Sequence, residues 1–209
     1  MYVSWQVALA TLAVIALGIR VACRRRRATV SGRTALITGG TWGIGYEFAC
    51  LAAKEGMDVV IVARNQERLD EVKARIKVTN PRVRVEVLSA DLGVSGAAQA
   101  LYDKVKKLGM VVDVLVNNAG FGLLGPFVEQ DLAAHESMLQ LNMCTVSLLT
   151  QLFAADMVKR NRPGRILNVS STAAFQPGVC VCVCVCVCVC VCVCVCVRAR
   201  ALVLVNVRR

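Results

Sequence analysis

At 209 residues the chain has room for one domain and a short appendage. Hydrophobic residues make up 56% of it, high for a soluble protein, and 25 lysines and arginines against 14 carboxylates leave a net charge of +11. Of its 12 cysteines, all but Cys23, Cys50 and Cys144 sit in one Val-Cys tract, and those three have no Cys-x-x-Cys or Cys/His spacing, which excludes a zinc site and a disulfide framework and leaves ordinary thiols.

The chain opens on an apolar run, Val3 to Cys23, broken by Ser4, Gln6, Thr11 and Arg20. A helix needs about 20 residues to span a bilayer, so the run is barely sufficient. Positive charge follows it, at Arg24 to Arg27, whereas a cleaved signal peptide carries its charge first. The positive-inside rule then predicts an uncleaved membrane anchor over residues 1–27, with the rest in the cytosol. The alternative is a monotopic or peripheral helix. The same basic cluster has no interleaved aromatics and no nucleic-acid motif, so no nucleic-acid partner is expected.

From Gly32 onward strand-like and helix-like segments alternate. Arg33–Thr38 is a short apolar run ending in a Gly-rich turn, and helical spacing follows over Gly45–Glu55. Met57–Ala63 is β-branched and apolar. Asn65–Val78 is charged, with Leu69, Val72 and Ile76 at helical intervals, and Pro81 ends it. Arg82–Leu88 alternates at period two, Gly96–Leu108 is helical, and Val111–Val116 reads as a buried strand. Two helical stretches, Leu132–Leu141 and Met143–Lys159, precede a Pro163-Gly164 turn and a fifth strand, Arg165–Val169. This alternation predicts an α/β fold, a parallel sheet with helices on both faces, which binds ligands at the carboxyl ends of its strands.

The first strand runs into Gly39-Gly40-Thr41-Trp42-Gly43-Ile44-Gly45. Glycines at 39, 43 and 45 between a strand and a helix permit the tight turn, a close approach to a pyrophosphate and tight helix packing. The helix amino terminus offers free N–H groups to the phosphates. Gly39, Thr41, Trp42, Gly43, Ile44 and Gly45 are therefore the candidate dinucleotide loop; a plain tight turn is the alternative. Trp42 either covers the cofactor or packs against a neighbouring strand. The second strand ends in Ala63-Arg64, where an NAD-preferring site would place an acid; a guanidinium there suits a 2′-phosphate and favours NADP over NAD, unless Arg64 is simply a solvated residue at a helix start. Asp91 follows the third strand, and Asn117-Asn118-Ala119-Gly120 the fourth. His135, the lone histidine, reads as a surface residue.

Thr38 to Gly45, Asp91 and Asn117 to Gly120, in that order and spacing, resemble the short-chain dehydrogenase/reductase family, over about Gly32 to Gly178. The resemblance implies a Rossmann-type doubly wound parallel sheet and a nicotinamide cofactor. It implies adenine contact by Asp91 and cofactor binding by Asn118, Ala119 and Gly120. Asn117–Phe127 and Ser170–Gly178 resemble the branch of membrane-linked ketoacyl and hydroxysteroid-type reductases. That likeness implies a lipophilic carbonyl or secondary-alcohol substrate, an endoplasmic-reticulum membrane location and a homo-oligomer as possible partner. Of the family's Asn, Ser, Tyr and Lys set, Asn142 matches the asparagine that supports a proton-relaying water. Ser171 matches the serine that hydrogen-bonds the substrate oxygen.

The tyrosine and lysine of that set fall at positions 184 and 188, and both are cysteine, Cys184 and Cys188. Neutral thiols supply no ammonium to lower a proton donor's pKa or to hold a ribose. Val179 to Val197 is strict Val-Cys alternation, and GTN and TGY codons make it the translation of a repeated G/T sequence. The organisation expected is thus an anchor (1–27), an incomplete dinucleotide-binding domain (28–178) lacking its carboxyl-terminal strands and helices, and a low-complexity tract with an unrelated tail (179–209). The expected function is an NADP-dependent oxidoreductase; the alternative is a catalytically dead cofactor-binding fragment or an aberrant translation product. The fifth strand is expected as an apolar edge, with poor solubility in consequence.

Overall fold

The computed structural model describes residues 32–123, 125–161, 164–171 and 200–206; residues 170–171 and 200–206 are described by their backbone alone. The expected anchor, the basic cluster, the whole Val-Cys tract, the rest of the tail and Pro163 lie outside them.

Six strands form one parallel sheet: β1 (Thr34–Thr38), β2 (Asp58–Ala63), β3 (Val85–Ser89), β4 (Val112–Asn117), β5 (Arg165–Ser171) and β6 (Arg200–Asn206), in the order β3-β2-β1-β4-β5-β6. The chain winds from β1 outward to β3, then returns to the other side of β1 with β4. That reversal opens a crevice at the carboxyl ends of β1 and β4, the place where open α/β sheets bind ligands. The central strands are apolar on both faces because helices cover both. Along β1 and β2, Leu36, Val60 and Val62 enter one core cluster, while Ala35, Ile37, Val59 and Ile61 enter the other. The period of two in a strand makes this division.

The first face is covered by α3 (Ala97–Lys107) and by a long helix over Leu132–Lys159; the second by α1 (Gly43–Lys54) and α2 (Gln66–Thr79). In α2 the buried residues are Leu69, Val72 and Ile76, one stripe of an otherwise charged helix. Asn65 caps it, its side chain accepting from the Arg68 N–H at 2.9 Å. In α3 the stripe is Ala97, Ala98, Leu101 and Val105, and Lys104, Lys106 and Lys107 lie in the last turn, where cations suit the helix dipole.

The two helical stretches expected after β4 are one continuous helix: α4 (Leu132–Leu139), a π turn (Gln140–Thr145) and α5 (Val146–Lys159). A short 3-10 turn, Phe127–Glu129, precedes it. By length and composition this helix could cross a membrane, but Leu149, Phe153 and Met157 are buried against the sheet, the arrangement of a core helix.

β5 is not the edge the sequence led one to expect. Tail residues Arg200–Asn206 pair with its whole length, from Arg165↔Arg200 to Ser171↔Asn206. The free ladder of β5 is satisfied by another apolar, β-prone segment of the same chain, which removes that edge and creates a new one at β6.

At the amino-terminal end of the sheet, buried Asp113 accepts from the Thr34 N–H at 3.2 Å and from Arg160 at 3.4 Å, while Arg160 also donates to the Val112 carbonyl at 2.6 Å. This network ties β1, β4 and the end of α5 together at the pole opposite the crevice.

Candidate functional site

The crevice is built on Thr38, the last residue of β1. Its hydroxyl donates to the Val116 carbonyl at 3.3 Å and accepts the backbone N–H groups of Asn118 and Ala119, both at 3.0 Å. The Asn118 amide then donates to the Thr38 and Gly39 carbonyls at 3.0 and 3.1 Å. Five hydrogen bonds between the ends of β1 and β4 thus fix the turn into α1. Asn118 serves by shaping the loop; both its amide protons are committed to it.

The glycines answer to this closeness. Gly39 has φ +66, and a Cβ there would stand 2.9 Å from Ala119 Cα. A Cβ on Gly45 would collide with the Gly39 carbonyl and the Asn118 amide. Gly43 differs. Its φ is +51, yet a Cβ would meet nothing within 4 Å. Packing of the described residues does not explain Gly43; a positive φ beside open space at a helix start does suit a ligand lying against the backbone. The first turn of α1 holds no acidic residue, and Trp42 caps it with no side-chain bond, so the N–H groups there stay available to an anion. On these observations the loop fits a dinucleotide diphosphate.

Around it stand the other predicted residues. Arg64 follows β2, exposed, its carbonyl accepting from Ser89 Oγ at 2.9 Å. Asp91, also exposed, accepts the Gly93 N–H at 2.8 Å on one oxygen, which turns the chain after β3. Asn142 sits in the π turn. Its amide donates to the Phe121 carbonyl at 2.8 Å and accepts the Phe121 N–H at 3.2 Å, joining the long helix to the loop after β4. Gly120 passes so near that a Cβ would be 3.0 Å from Asn142 Oδ1. Ser171 ends β5, and the register Asn117↔Asn168 carries it beyond β4 at this same end of the sheet. Positions 184 and 188 lie outside the described residues. Trp42 is 66% exposed, and the Arg68 guanidinium lies 4.3 Å over its ring. His135 is half-buried, edge-on to Phe127 and hydrogen-bonded to Gln130 at 3.1 Å.

Three contributors were not among the candidate site residues: Thr38, named above only as the start of the glycine motif, Thr145 and Arg68. Thr38 was legible, since a hydroxyl ending a buried strand must find partners. Thr145, buried in the π turn, donates to the Leu92 carbonyl at 2.8 Å and so holds the loop carrying Asp91; no local pattern marks it. Arg68 depends on how α2 lies beside α1. Beneath the site, the Asn117 amide donates to Thr150 Oγ1 at 3.1 Å and Asn168 Oδ1 at 2.9 Å, while its own Oδ1 is buried without a partner.

A parallel sheet whose switch point carries a glycine turn into a helix defines a dinucleotide-binding α/β domain. The comparisons place it further. The model for short chain dehydrogenase matches residues 33–185. The chain is 35% identical over 152 residues to the very-long-chain 3-oxoacyl-CoA reductase of Macaca fascicularis, covering 70% of this chain and 47% of the relative. Among solved structures, a short-chain dehydrogenase from Sphingobium yanoikuyae in complex with NADPH is 34% identical, with TM-score 0.65, over 71% of this chain and 57% of that one. A metagenomic short-chain oxidoreductase in complex with NADP is also 34% identical, with TM-score 0.66, over 71% of this chain and 66% of that one. The chain belongs to the short-chain dehydrogenase/reductase family. It spans about half the length of the curated relatives it matches.

Proposed function

We propose that this chain binds NADP in the crevice between β1 and β4 and derives from a membrane-anchored oxidoreductase of lipophilic carbonyl or secondary-alcohol substrates. The observation that carries the reading is Gly43, held at positive φ with open space before it and exposed Arg64 at the end of the neighbouring strand. Arg64 favours NADP over NAD because a guanidinium matches a phosphate, and no acid replaces it at Ala63-Arg64. The two NADP-type structural relatives support this choice. The lipophilic substrate is supported by the reductase relatives and by Phe127, Val128 and Leu132, which stand exposed in the connection from β4.

When bound, the nicotinamide supplies or accepts hydride at the substrate carbon. Gly39, Gly43 and Gly45 let the backbone approach the diphosphate, and Asp91 has one carboxylate oxygen without a partner among the described residues to meet the adenine end. Asn142 holds the β4 loop at Phe121, and Ser171 is the residue proposed to hydrogen-bond the substrate oxygen. The proton that must accompany hydride has no donor in Cys184 and Cys188 of the kind that a tyrosine and lysine provide. That substitution favours a second reading, a cofactor-binding chain without turnover. The apolar run Val3 to Cys23 with Arg24 to Arg27 behind it supports a membrane anchor with the domain on the cytosolic side.

The two readings separate on full-length chain in detergent, with NADPH binding and NADPH oxidation by a lipophilic ketone measured together. Binding with oxidation supports the enzyme, binding without it the silent chain, and the absence of binding contradicts both.

A further inference from the structure

We infer that Arg68, seated on the ring of Trp42, is a specificity-determining residue of the nucleotide site, sharing the 2′-phosphate of NADP with Arg64. The inference rests on the dinucleotide reading above and adds to it the residue pair that sets selectivity.

Trp42 immediately precedes Gly43 at the amino end of α1, where the diphosphate would dock, and two thirds of its surface is exposed. A cation covers the ring: the Arg68 Cζ lies 4.3 Å above the ring centroid, within cation–π range. The stack holds the guanidinium against the residue that precedes Gly43. Asn65 caps α2 through the Arg68 N–H, so Arg68 stands in the first turn of α2 and Arg64 immediately before the cap, at the end of β2.

Their charge is not spent elsewhere. Arg84 pairs with Glu86, and Arg160 with Asp113 and Asp156, whereas neither Arg64 nor Arg68 ion-pairs with a carboxylate among the described residues. Glu67, the acid in the first turn of α2, pairs with neither of them. Two unneutralised guanidiniums beside a diphosphate loop form a site for a further dianion, and a planar fork on each can take phosphate oxygens two at a time. NADPH carries that dianion and NADH does not.

The test is calorimetric titration of the full-length chain in detergent with NADPH, NADH, adenosine 2′,5′-bisphosphate and 5′-AMP. Arg68→Ala is expected to weaken NADPH and the bisphosphate roughly 10- to 100-fold and to leave NADH and 5′-AMP unchanged. Trp42→Ala, which frees Arg68 from its seat, should produce a smaller loss with the same selectivity, and Trp42→Phe should restore most of it. In a Trp5→Phe background, where Trp42 is the remaining tryptophan, its emission should change with the bisphosphate and not with 5′-AMP. Arg68→Lys keeps the charge without the fork and should fall between wild type and alanine, which guards against misreading a folding defect. Equal losses for phosphorylated and unphosphorylated ligands, or no loss, overturn the inference. If Arg64→Ala alone abolishes the preference, the NADP reading stands and the role of Arg68 falls. If wild type binds NADH as well as NADPH, both fall.

Discussion

Thr38 shows how much of the site hangs on single atoms. Its Oγ1 satisfies two backbone N–H groups, and valine, nearly the same shape, would satisfy neither. Thr38→Val is expected to cost about 2–4 kcal/mol in urea unfolding, the penalty of leaving part-buried donors unmet, and to loosen nucleotide binding as well. A cost under about 0.5 kcal/mol would show the hub to be redundant. Glu86 offers a test by pH. The Arg84 hydrogen bond holds its carboxyl below the ordinary range, outweighing partial burial, with Lys73 adding to the effect. A carboxylate depressed in the folded state stabilises above its unfolded pKa of about 4.3 and loses that contribution as pH falls through the lower folded value. The stability gap between wild type and Glu86→Gln should therefore be present at neutral pH, within about 1 kcal/mol because the pair is partly exposed, and close in acid. A gap that widens on acidification contradicts the assignment.

Among the elements, those with a strong local period were legible. Leu69, Val72 and Ile76 marked α2 within a residue or two of its observed bounds, and the apolar runs marked β1, β2 and β4. The glycine turn was legible because three glycines at that spacing have few other uses. What the sequence did not disclose depends on contacts between distant segments. The π turn exists where Thr145 reaches Leu92 and Asn142 reaches Phe121, neither of them a neighbour in sequence. The Trp42–Arg68 stack needs α2 laid beside α1. Within the long helix, Phe153 is fully buried, edge-on to Tyr102 with centroids 5.2 Å apart. Phe153→Ala is expected to destabilise by about 3–5 kcal/mol in denaturant, whereas Leu132→Ala, at an exposed position of the same helix, should change little. Comparable effects at both would mean that the helix does not pack on the sheet as described.

Taken whole, the molecule is a Rossmann-type parallel sheet extended by a strand from its own tail. β6 gives β5 a parallel partner along all its length, so the apolar edge expected from the sequence is covered. Successive residues of a strand turn their N–H groups to opposite sides, so of Val203 and Leu204, which pair with Asn168 and Val169, one donates into the ladder, and proline at both removes that donor. The double change Val203→Pro and Leu204→Pro is expected to raise light scattering at fixed concentration and lower the thermal midpoint; unchanged behaviour would mean β6 contributes nothing to the sheet's integrity. The proposed activity turns on a separation visible in the chain. The nucleotide loop and its clamps are intact, from Thr38 through Asn118 to Asn142, while cysteine stands at 184 and 188.

Within the Gly39–Gly45 loop, Gly43 is the glycine whose described neighbours leave its place open, and the proposed nucleotide site turns on it. Calorimetric titration of the full-length chain with NADPH, beside Gly43→Asp, tests it. Wild-type binding is expected with a dissociation constant on the order of micromolar, weakened about 100-fold or more by a carboxylate placed in the open space before the helix, with a modest fall in thermal midpoint from holding a side chain at φ +51. Equal binding by both proteins would place the nucleotide elsewhere and contradict the site described.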